Sequence, residues 1–313
     1  MLCDRSSFAH NSHREKPGLS TTTSNVQDPR VVACVATWNG AAFIADTLAT
    51  LQAQTYPNLH VLISDDASTD ETLQICKTFA DADPRFQIIQ QPQRLGWVGN
   101  VNTLLQMAQG DYFFLMPHDD RLAPDYVVRL VEALERQPAA ILAFCDLEMI
   151  KLNGTQEVKI YTDLEGVQDR VKRVQIWLNR NSRPCIPYRG VFRASAVDRI
   201  GGLRLNLAGE FGADWPWLLH LLLLGNFIRV SETLYQRIRR KDSLSHTWNY
   251  TIYEWICLAL AGGWEIYRSE ISPYEKVLLE LCVARYCYIS LIEESMNTLR
   301  VWRNWLKQKR LPW

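Results

Sequence analysis

The fold is decided by the stretch GDYFFLMPHDDRLAP, residues 110–124. Its apolar run, Tyr112 to Met116, predicts a strand that is buried on both faces. The run ends in His-Asp-Asp at 118–120, and Pro124 then marks a helix start, because proline suits the first helical position. Two adjacent carboxylates therefore lie at the carboxyl end of a buried strand, which is the edge where open α/β sheets bind ligands.

The adjacent carboxylates of Asp119 and Asp120 repel each other when both are ionised. A hard cation such as Mg²⁺ or Mn²⁺ relieves that repulsion, and proteins commonly hold it with one or two carboxylates together with substrate phosphates. The alternative is a solvated loop with an aspartate near a helix N-terminus. This stretch alone leaves both interpretations open.

The composition argues against several classes of function. The chain has 313 residues, 47% of them hydrophobic, and a formal net charge of +0, so it lacks the global basic field of a nucleic-acid binder. Eight cysteines occur without any C-x-x-C pair, which disfavours zinc and thioredoxin-like sites and suits a reducing compartment. We find neither a signal-peptide apolar region nor a bilayer-length apolar run, and we expect a cytoplasmic protein.

The chain divides into three parts by pattern. Residues 1–29 are polar and aperiodic, and we expect a disordered leader. From Val31 to Cys145 strands and helices alternate, which predicts a parallel, doubly wound sheet. Ser68 and Glu71 have the spacing of a capping box for one of these helices, over about 69–80. From about residue 246 the apolar spacing is helical to the C-terminus.

Polar side chains follow three of the predicted strands. They are Thr37 and Asn39, then Asp65 and Asp66, then the His-Asp-Asp run at 118–120. Because parallel strands end at one edge of a sheet, we expect these side chains to share a single ligand crevice.

Several segments resemble family 2 glycosyltransferases. They are VATWNG (35–40), LQAQTYP (51–57), SDDASTDET (64–72), LGWVGNVN (95–102) and AQGDY (108–112). The His-Asp-Asp stretch fits the metal-binding Asp motif of that family, and the resemblance covers about residues 31–245. It implies a GT-A fold, a Rossmann-like, mainly parallel sheet flanked by helices. We therefore expect a catalytic domain at 30–245, with a nucleotide-sugar half at about 30–150 and an acceptor half at about 151–245, followed by C-terminal helices at 246–313.

The resemblance also implies roles for individual residues. The implied nucleotide-binding residues are Thr37, Asn39, Asp66, Asn102 and Asp119, and the implied ligands of Mg²⁺ or Mn²⁺ are Asp119 and Asp120. The family often has an aspartate where this chain has Pro117, so which of the two aspartates ligates the metal directly stays open.

For the general base, the resemblance points to Asp214, with Glu210 as the second choice. The alternative for Asp214 is a helix N-cap, where aspartate is favoured for other reasons. Further contacts to the diphosphate or the acceptor are implied for His118, Glu210 and one or more of three arginines, Arg237, Arg239 and Arg240. Solvated surface positions are the alternative for at least two of these arginines.

The implied reaction transfers a sugar, with inversion, from a nucleotide-sugar donor, by family frequency a UDP-sugar, to a hydroxyl of a saccharide or lipid-linked acceptor. The implied setting is cell-surface polysaccharide or glycolipid assembly. The rivals are an inactive sugar-nucleotide-binding or scaffold protein and a metal-dependent nucleotidyltransferase. Trp302, Trp305 and Trp313 lie among basic residues. This pattern suits helices packed on the catalytic domain, peripheral contact with the inner face of a membrane, or a dimer contact.

Overall fold

The computed structural model describes residues 28–178, 186–241, 243, 248 and 251–308. The predicted leader, apart from its last two residues, falls outside these ranges. So do Trp313 and the side chains of Trp302 and Trp305.

The first half of the chain alternates strand and helix, as predicted. Its elements are β1 (Val31–Thr37), α1 (Ile44–Gln52), β2 (Leu59–Asp65), α2 (Thr72–Ala82), β3 (Phe86–Gln90), α3 (Gly96–Met107) and β4 (Tyr112–Pro117). The four strands are parallel in the order β3-β2-β1-β4. Strands β1 and β4 are buried at nearly every position, which explains their unbroken apolar sequence.

The second half departs from the parallel pattern. Its elements are β5 (Arg121–Leu122), α4 (Tyr126–Arg136), β6 (Ala140–Ile150), β7 (Gln156–Lys159), α5 (Arg170–Trp177), a 3₁₀ turn (Pro187–Arg189), β8 (Val191–Arg193), α6 (Ala194–Ile200), α7 (Asp214–Leu224) and β9 (Asn226–Ile238). Strand β8 is antiparallel and lies between β4 and β6. The sheet is nevertheless mainly parallel, as predicted, because β6 runs in the same direction as β4 and pairs in parallel with β9. Strands β5, β7 and β8 are the antiparallel exceptions that the sequence pattern does not predict.

Two predicted helix starts are wrong. Helix α2 begins at Thr72, and its N-cap, Glu71, makes no side-chain capping bond. Ser68 is not a cap, because its Oγ accepts a 2.9 Å hydrogen bond from the backbone N–H of Asn39, at the end of β1. Helix α4 begins at Tyr126, two residues after Pro124. Tertiary contacts at the sheet edge thus override local capping signals.

Two C-terminal helices complete the fold: α8 (Ile252–Arg268) and α9 (Pro273–Gln308). Helix α8 begins with a capping box formed by Thr251 and Glu254. It packs on α7 through a buried carboxylate, Glu265, whose Oε2 lies 2.7 Å from Nδ1 of His220. Among the described residues, no helix is both long enough and apolar enough to cross a bilayer.

Candidate active site

The carboxyl ends of β1, β2 and β4 meet at one edge of the sheet. The strand register pairs Thr37 with Asp65 and the preceding residue of β1 with Pro117. As a result Thr37 Oγ1 lies 2.9 Å from Nδ1 of His118, and the Thr37 carbonyl accepts a 2.9 Å hydrogen bond from the N–H of Asp66. The structure thus brings together residues from all three predicted clusters.

Asp66 and Asn39 form hydrogen bonds that connect the loops around this edge. The carboxylate of Asp66 accepts hydrogen bonds from the backbone N–H groups of Leu95 (2.6 Å) and Gly96 (3.0 Å), at the start of α3. Asn39 has a positive φ of 46°, which asparagine tolerates, and its Oδ1 accepts a 2.8 Å hydrogen bond from Thr69 N–H. Both residues therefore shape the predicted nucleotide pocket through the backbone of its walls.

A stacked pair lies beside these loops. The guanidinium carbon of Arg94 is 3.4 Å from the ring centroid of Trp38, which is 37% exposed. Trp38 immediately precedes Asn39, and Arg94 immediately precedes the Leu95-Gly96 backbone that binds Asp66. The edge thus carries a partly exposed aromatic side chain with a planar cation over its ring. Neither residue is predicted as a site residue by the sequence patterns.

The two aspartates that follow β4 have different environments. Asp120 is buried, and its Oδ2 accepts hydrogen bonds from Arg189 Nε (3.0 Å) and from the hydroxyl of Tyr235 (2.9 Å). Its Oδ1 accepts a 3.1 Å hydrogen bond from the backbone N–H of Ile238. Both oxygens of Asp120 are therefore engaged by the protein itself.

The carboxylate of Asp119 is less fully compensated by positive charge than the carboxylate of Asp120. Burial and the neighbouring charge of Asp120 raise the pKa of Asp119 to about 6, although Arg189, Arg240 and Arg237 act in the opposite direction. Of these three arginines, Arg240 forms an ion pair with Asp119, in which its Nε is 3.8 Å from the carboxylate. This separation is long for a hydrogen bond, and the buried Arg240 Nε has no acceptor among the described residues.

The three candidate arginines differ in position. Arg240 lies over the ring of Phe43 with its guanidinium carbon 4.2 Å from the centroid, and Phe43 also contacts the ring of His118 at 4.9 Å. Arg237 acts on the pKa of both Asp119 and Asp214. Arg239 is exposed. Arg237 and Arg240 therefore act on the acidic cluster. Arg239 instead lies in solvent, which is the alternative that the sequence analysis gives for these arginines.

Asp214 is the first residue of α7. Burial raises the pKa of its carboxyl group, and Arg189 and Arg237 act to lower it. The same two arginines act on Asp119, so one pair of cations lies in the electrostatic range of both carboxylates. A carboxyl group with a raised pKa in such a site has the properties of a general base.

Asn102 and Glu210 are engaged elsewhere. Asn102 exchanges two hydrogen bonds with the backbone of Leu203 (2.9 and 2.8 Å), and a side chain on Gly202 would clash with its Oδ1. Glu210 Oε1 accepts a 2.8 Å hydrogen bond from Val98 N–H, in the first turn of α3. Both side chains tie α3 to the segment that leads into α7, and their contacts with substrate stay predictions.

Arg189 and Tyr235 were not predicted as site residues. Arg189 lies in the 3₁₀ turn before β8, between buried Tyr188 and Gly190. An arginine inside such an apolar run needs a buried acceptor, and that signal could have indicated a carboxylate partner. The partner itself, Asp120, is distant in sequence and is identified only by the fold.

Comparison with known proteins places this site in a family. The family model described as Glycosyl transferase family 2 matches residues 32–201, which is more than half of the chain. The chain belongs to glycosyltransferase family 2. The match includes β1 to β4, with the acidic cluster that follows β4, and ends just after α6.

Curated relatives of this family 2 glycosyltransferase include GlyG of Streptococcus pneumoniae, which is 20% identical over 277 residues, or 84% of this chain and 86% of GlyG. TuaG of Bacillus subtilis is 26% identical over 127 residues, or 41% of this chain and 50% of TuaG. The chain spans only 22% and 33% of the length of two further relatives that it matches.

Solved structures share the fold of this family member. TarS residues 1–349 of S. aureus in complex with UDP-GlcNAc has a TM-score of 0.61 at 16% identity, and the match covers 80% of this chain and 70% of that one. The mannosyltransferase PcManGT from Pyrobaculum calidifontis in complex with GDP-Man and Mn²⁺ has a TM-score of 0.56 at 17% identity, and the match covers 91% and 82%. The predicted GT-A fold is confirmed.

Proposed function

We propose that this family 2 glycosyltransferase transfers a sugar from a nucleoside diphosphate donor to an acceptor hydroxyl, with inversion at the anomeric carbon. The observation that carries the proposal is the meeting of Thr37, Asp66 and His118 at one edge of the sheet. Of the two carboxylates assigned to the reaction, Asp119 follows this edge after β4 and Asp214 begins α7. A diphosphate near the first carboxylate and an acceptor hydroxyl near the second would give the two ends of a single displacement.

The donor site is proposed at the edge formed by β1, β2 and β4. TarS has been seen with UDP-GlcNAc, and PcManGT with GDP-Man and Mn²⁺. In this chain, the partly exposed Trp38 ring and the Arg94 guanidinium that lies over it offer a base an aromatic group and a planar cation. The nucleotide that we test first is UDP, and GDP is the comparison.

The donor set at Asp119 fits a divalent cation. Among the described residues, the cation that pairs with its carboxylate is Arg240 at 3.8 Å, and burial next to Asp120 makes its charge costly. Within the described residues no group of three or more acidic, histidine or cysteine side chains could hold a metal. One carboxylate together with diphosphate oxygens is a usual way of holding Mg²⁺ or Mn²⁺. Such an ion supplies charge neutralisation at the departing diphosphate.

The chain's own groups supply the remaining chemistry. Asp214 accepts the proton of the acceptor hydroxyl as that oxygen attacks the anomeric carbon from the face opposite the diphosphate. The bond between the anomeric carbon and the diphosphate oxygen breaks, and Arg237 and Arg240 stabilise the charge that develops on the leaving group. The proton and the leaving group thus depart on opposite sides of the sugar, which gives inversion.

The acceptor is proposed to be a saccharide or a lipid-linked sugar used in cell-surface polysaccharide assembly. The support is the relative TuaG, whose name assigns it to teichuronic acid biosynthesis. The acceptor side would include the segment from Tyr188 to Arg193 and the start of α7, because these elements border the Asp214 side of the site.

A thermal-shift experiment tests the proposal. The wild type is heated with UDP, GDP and UDP-GlcNAc, each with and without Mn²⁺, beside Asp119→Ala and the exposed control Asp125→Asn. We expect a nucleotide to raise Tm only when Mn²⁺ is present, by an amount equivalent to about 2.7 kcal/mol at a hundred-fold excess over Kd. Asp119→Ala should lose this response and Asp125→Asn should keep it.

Each other outcome has a definite meaning. The absence of any nucleotide effect would contradict the donor site and favour a scaffold role. A nucleotide effect that ignores Mn²⁺ would retain the pocket and remove the metal from the proposal. Release of pyrophosphate instead of a nucleoside diphosphate during turnover would identify a nucleotidyltransferase.

A further inference from the structure

The outer faces of α8 and α9 carry an unusual amount of exposed apolar surface. Of the 17 large hydrophobic side chains that are exposed in the described part of the chain, nine lie on these two helices. They are Tyr253, Leu260, Trp264, Tyr267, Tyr274, Val277, Leu281, Tyr288 and Ile292. Monomeric proteins seldom leave contiguous apolar patches of this kind open, and such patches mark interaction surfaces.

The exposed residues of α9 follow a heptad repeat. Five exposed positions are separated by alternating steps of three and four residues: Tyr274, Val277, Leu281, Ala284 and Tyr288. We call this set the α9 seam. The opposite side of the helix carries Leu279, Val283 and Tyr286, which are buried against the body of the protein. Helix α9 thus has one apolar face that packs on its own chain and a second, narrower apolar face that is exposed.

Two charges flank the α9 seam on opposite sides. If Tyr274 and Leu281 occupy a positions, Glu280 occupies a g position and Arg285 the e position of the next heptad. Glu280 is half-buried against Gly263 of α8, and burial raises its pKa. Neither charge forms an ion pair within the part of the chain that the structure describes.

We propose that the α9 seam pairs in parallel with the same seam of a second copy of this chain, as a short two-stranded coiled coil. In a parallel pair, each g position faces the e position of the following heptad on the other helix, so Glu280 of each copy meets Arg285 of the other. An antiparallel pair would set g against g and e against e, which places like charges together. The charges therefore select the parallel arrangement.

The α9 seam fits a helix better than a lipid surface. A membrane-bound helix presents a wide apolar stripe with a polar face rich in lysine and arginine. The part of α9 from Pro273 to Ile292, which holds the seam, instead balances Glu275 and Glu280 against Lys276 and Arg285. On α8, Trp264 stacks on Tyr267 with ring centroids 5.6 Å apart, and Tyr267 contacts Lys276. These two aromatic rings therefore adjoin α9 and would widen the contact.

Sedimentation equilibrium of the full chain between about 1 and 100 μM tests the pairing, since this range detects binding free energies of about −8 to −5.5 kcal/mol. We expect the wild type to dimerise and Leu281→Glu to be monomeric with an unchanged near-UV circular dichroism spectrum. The matched control is Leu152→Glu, which alters an exposed leucine outside both helices and should still dimerise. Vesicles containing anionic lipid are tested in parallel.

Charge reversal tests the register. Glu280→Lys and Arg285→Glu should each weaken the dimer about ten-fold, because each places like charges together at two symmetric positions. The double variant should recover the wild-type Kd, because the pairs re-form with reversed polarity. A wild type that stays monomeric at 100 μM, or a double variant weaker than both singles, would overturn the proposal. A monomer that binds vesicles through Leu281 would assign the seam to a membrane instead.

Discussion

Arg189 and Asp120 form a buried ion pair, with Arg189 Nε 3.0 Å from Asp120 Oδ2 and side chains that are only 11% and 1% exposed. The pair joins the turn before β8 to the loop after β4. It also distinguishes two adjacent aspartates, since three protein donors bond the carboxylate of Asp120, whereas among the described residues Asp119 has only its 3.8 Å ion pair with Arg240. This asymmetry is the reason that we propose Asp119 as the ligand of a divalent cation.

Removal of Arg189 should be costly. Arg189→Met leaves the carboxylate of Asp120 buried with one partner fewer, and we expect a loss of about 3–5 kcal/mol in the free energy of unfolding. In the double variant with Asp120→Asn, the loss should fall short of the sum of the two single losses by at least about 1 kcal/mol. Urea titration at pH 7.5 measures these losses.

The control for this prediction is Arg121→Met, which breaks an exposed pair with Asp46 and should cost under about 1 kcal/mol. Additive losses would refute the coupling.

Asp214→Asn should separate chemistry from binding. Asparagine keeps the shape of the side chain but cannot accept a proton, so we expect kcat to fall by about 10²–10⁴. The donor-induced rise in Tm should remain. The matched control is Asp125→Asn, which changes an exposed aspartate outside the site in the same way and should leave turnover unchanged. Near-normal turnover of Asp214→Asn would remove Asp214 from the role of base.

The pH dependence of kcat/KM follows from the charges around Asp214. Its pKa is raised by burial and held down by Arg189 and Arg237, and only the ionised carboxylate can act as a base. We therefore expect kcat/KM to fall as pH is lowered through this raised pKa, above the ordinary range of an aspartate. Arg237→Gln removes one opposing charge, so its acid limb should move to higher pH. A shift to lower pH, measured across a series of buffers at constant ionic strength, would contradict the assignment.

Asp119 should destabilise the native state when it is ionised. Its pKa is about 6 in the fold against an ordinary value of 3.8, so the native state binds the proton more tightly than the unfolded chain does. Stability is therefore lost as pH rises from about 4 to 6, by at most about 3 kcal/mol. Asp119→Asn should be more stable than the wild type at pH 7.5 and equal to it at pH 4. Asp125→Asn, at an exposed position outside the site, is the matched control. Equal stability of Asp119→Asn and wild type at both pH values would show that Asp119 is not perturbed.

Ala67 offers a test of the backbone. It has a positive φ of 55°, which costs an alanine about 1–2 kcal/mol and costs glycine very little. Ala67→Gly should raise the free energy of unfolding by roughly 1 kcal/mol or less, after the greater flexibility of glycine in the unfolded chain is counted. Ala67→Val should lower it, because a β-branched side chain is more strained there. Chemical denaturation of both variants distinguishes these signs.

The parallel half of the fold could be predicted because its signals are local. Each strand from Val31 to Pro117 is a short apolar run, and each is followed by a polar turn and an amphipathic helix. Once the strands are parallel, the convergence of Thr37, Asp66 and His118 follows from geometry. The structure confirms that convergence.

The other half of the site depends on contacts between distant residues. Strand β8 has three residues and no alternating pattern, so neither its antiparallel direction nor its place beside β4 can be predicted from its sequence. The partnership of Arg189 with Asp120 follows from that placement. The capping signals at Ser68 and Pro124 mislead for the same reason, because their groups bond across the sheet edge to Asn39 and Thr55.

The position of β8 also has a consequence for synthesis on the ribosome. Strand β4 lies in the middle of the finished sheet, yet its partner on one side is made roughly seventy residues later. Until β8 emerges, the nascent chain holds an apolar strand with an open edge, the kind of surface that recruits unrelated strands. Translation speed between β4 and β8, and the chaperones that attend it, should therefore govern how much of this protein reaches its native state.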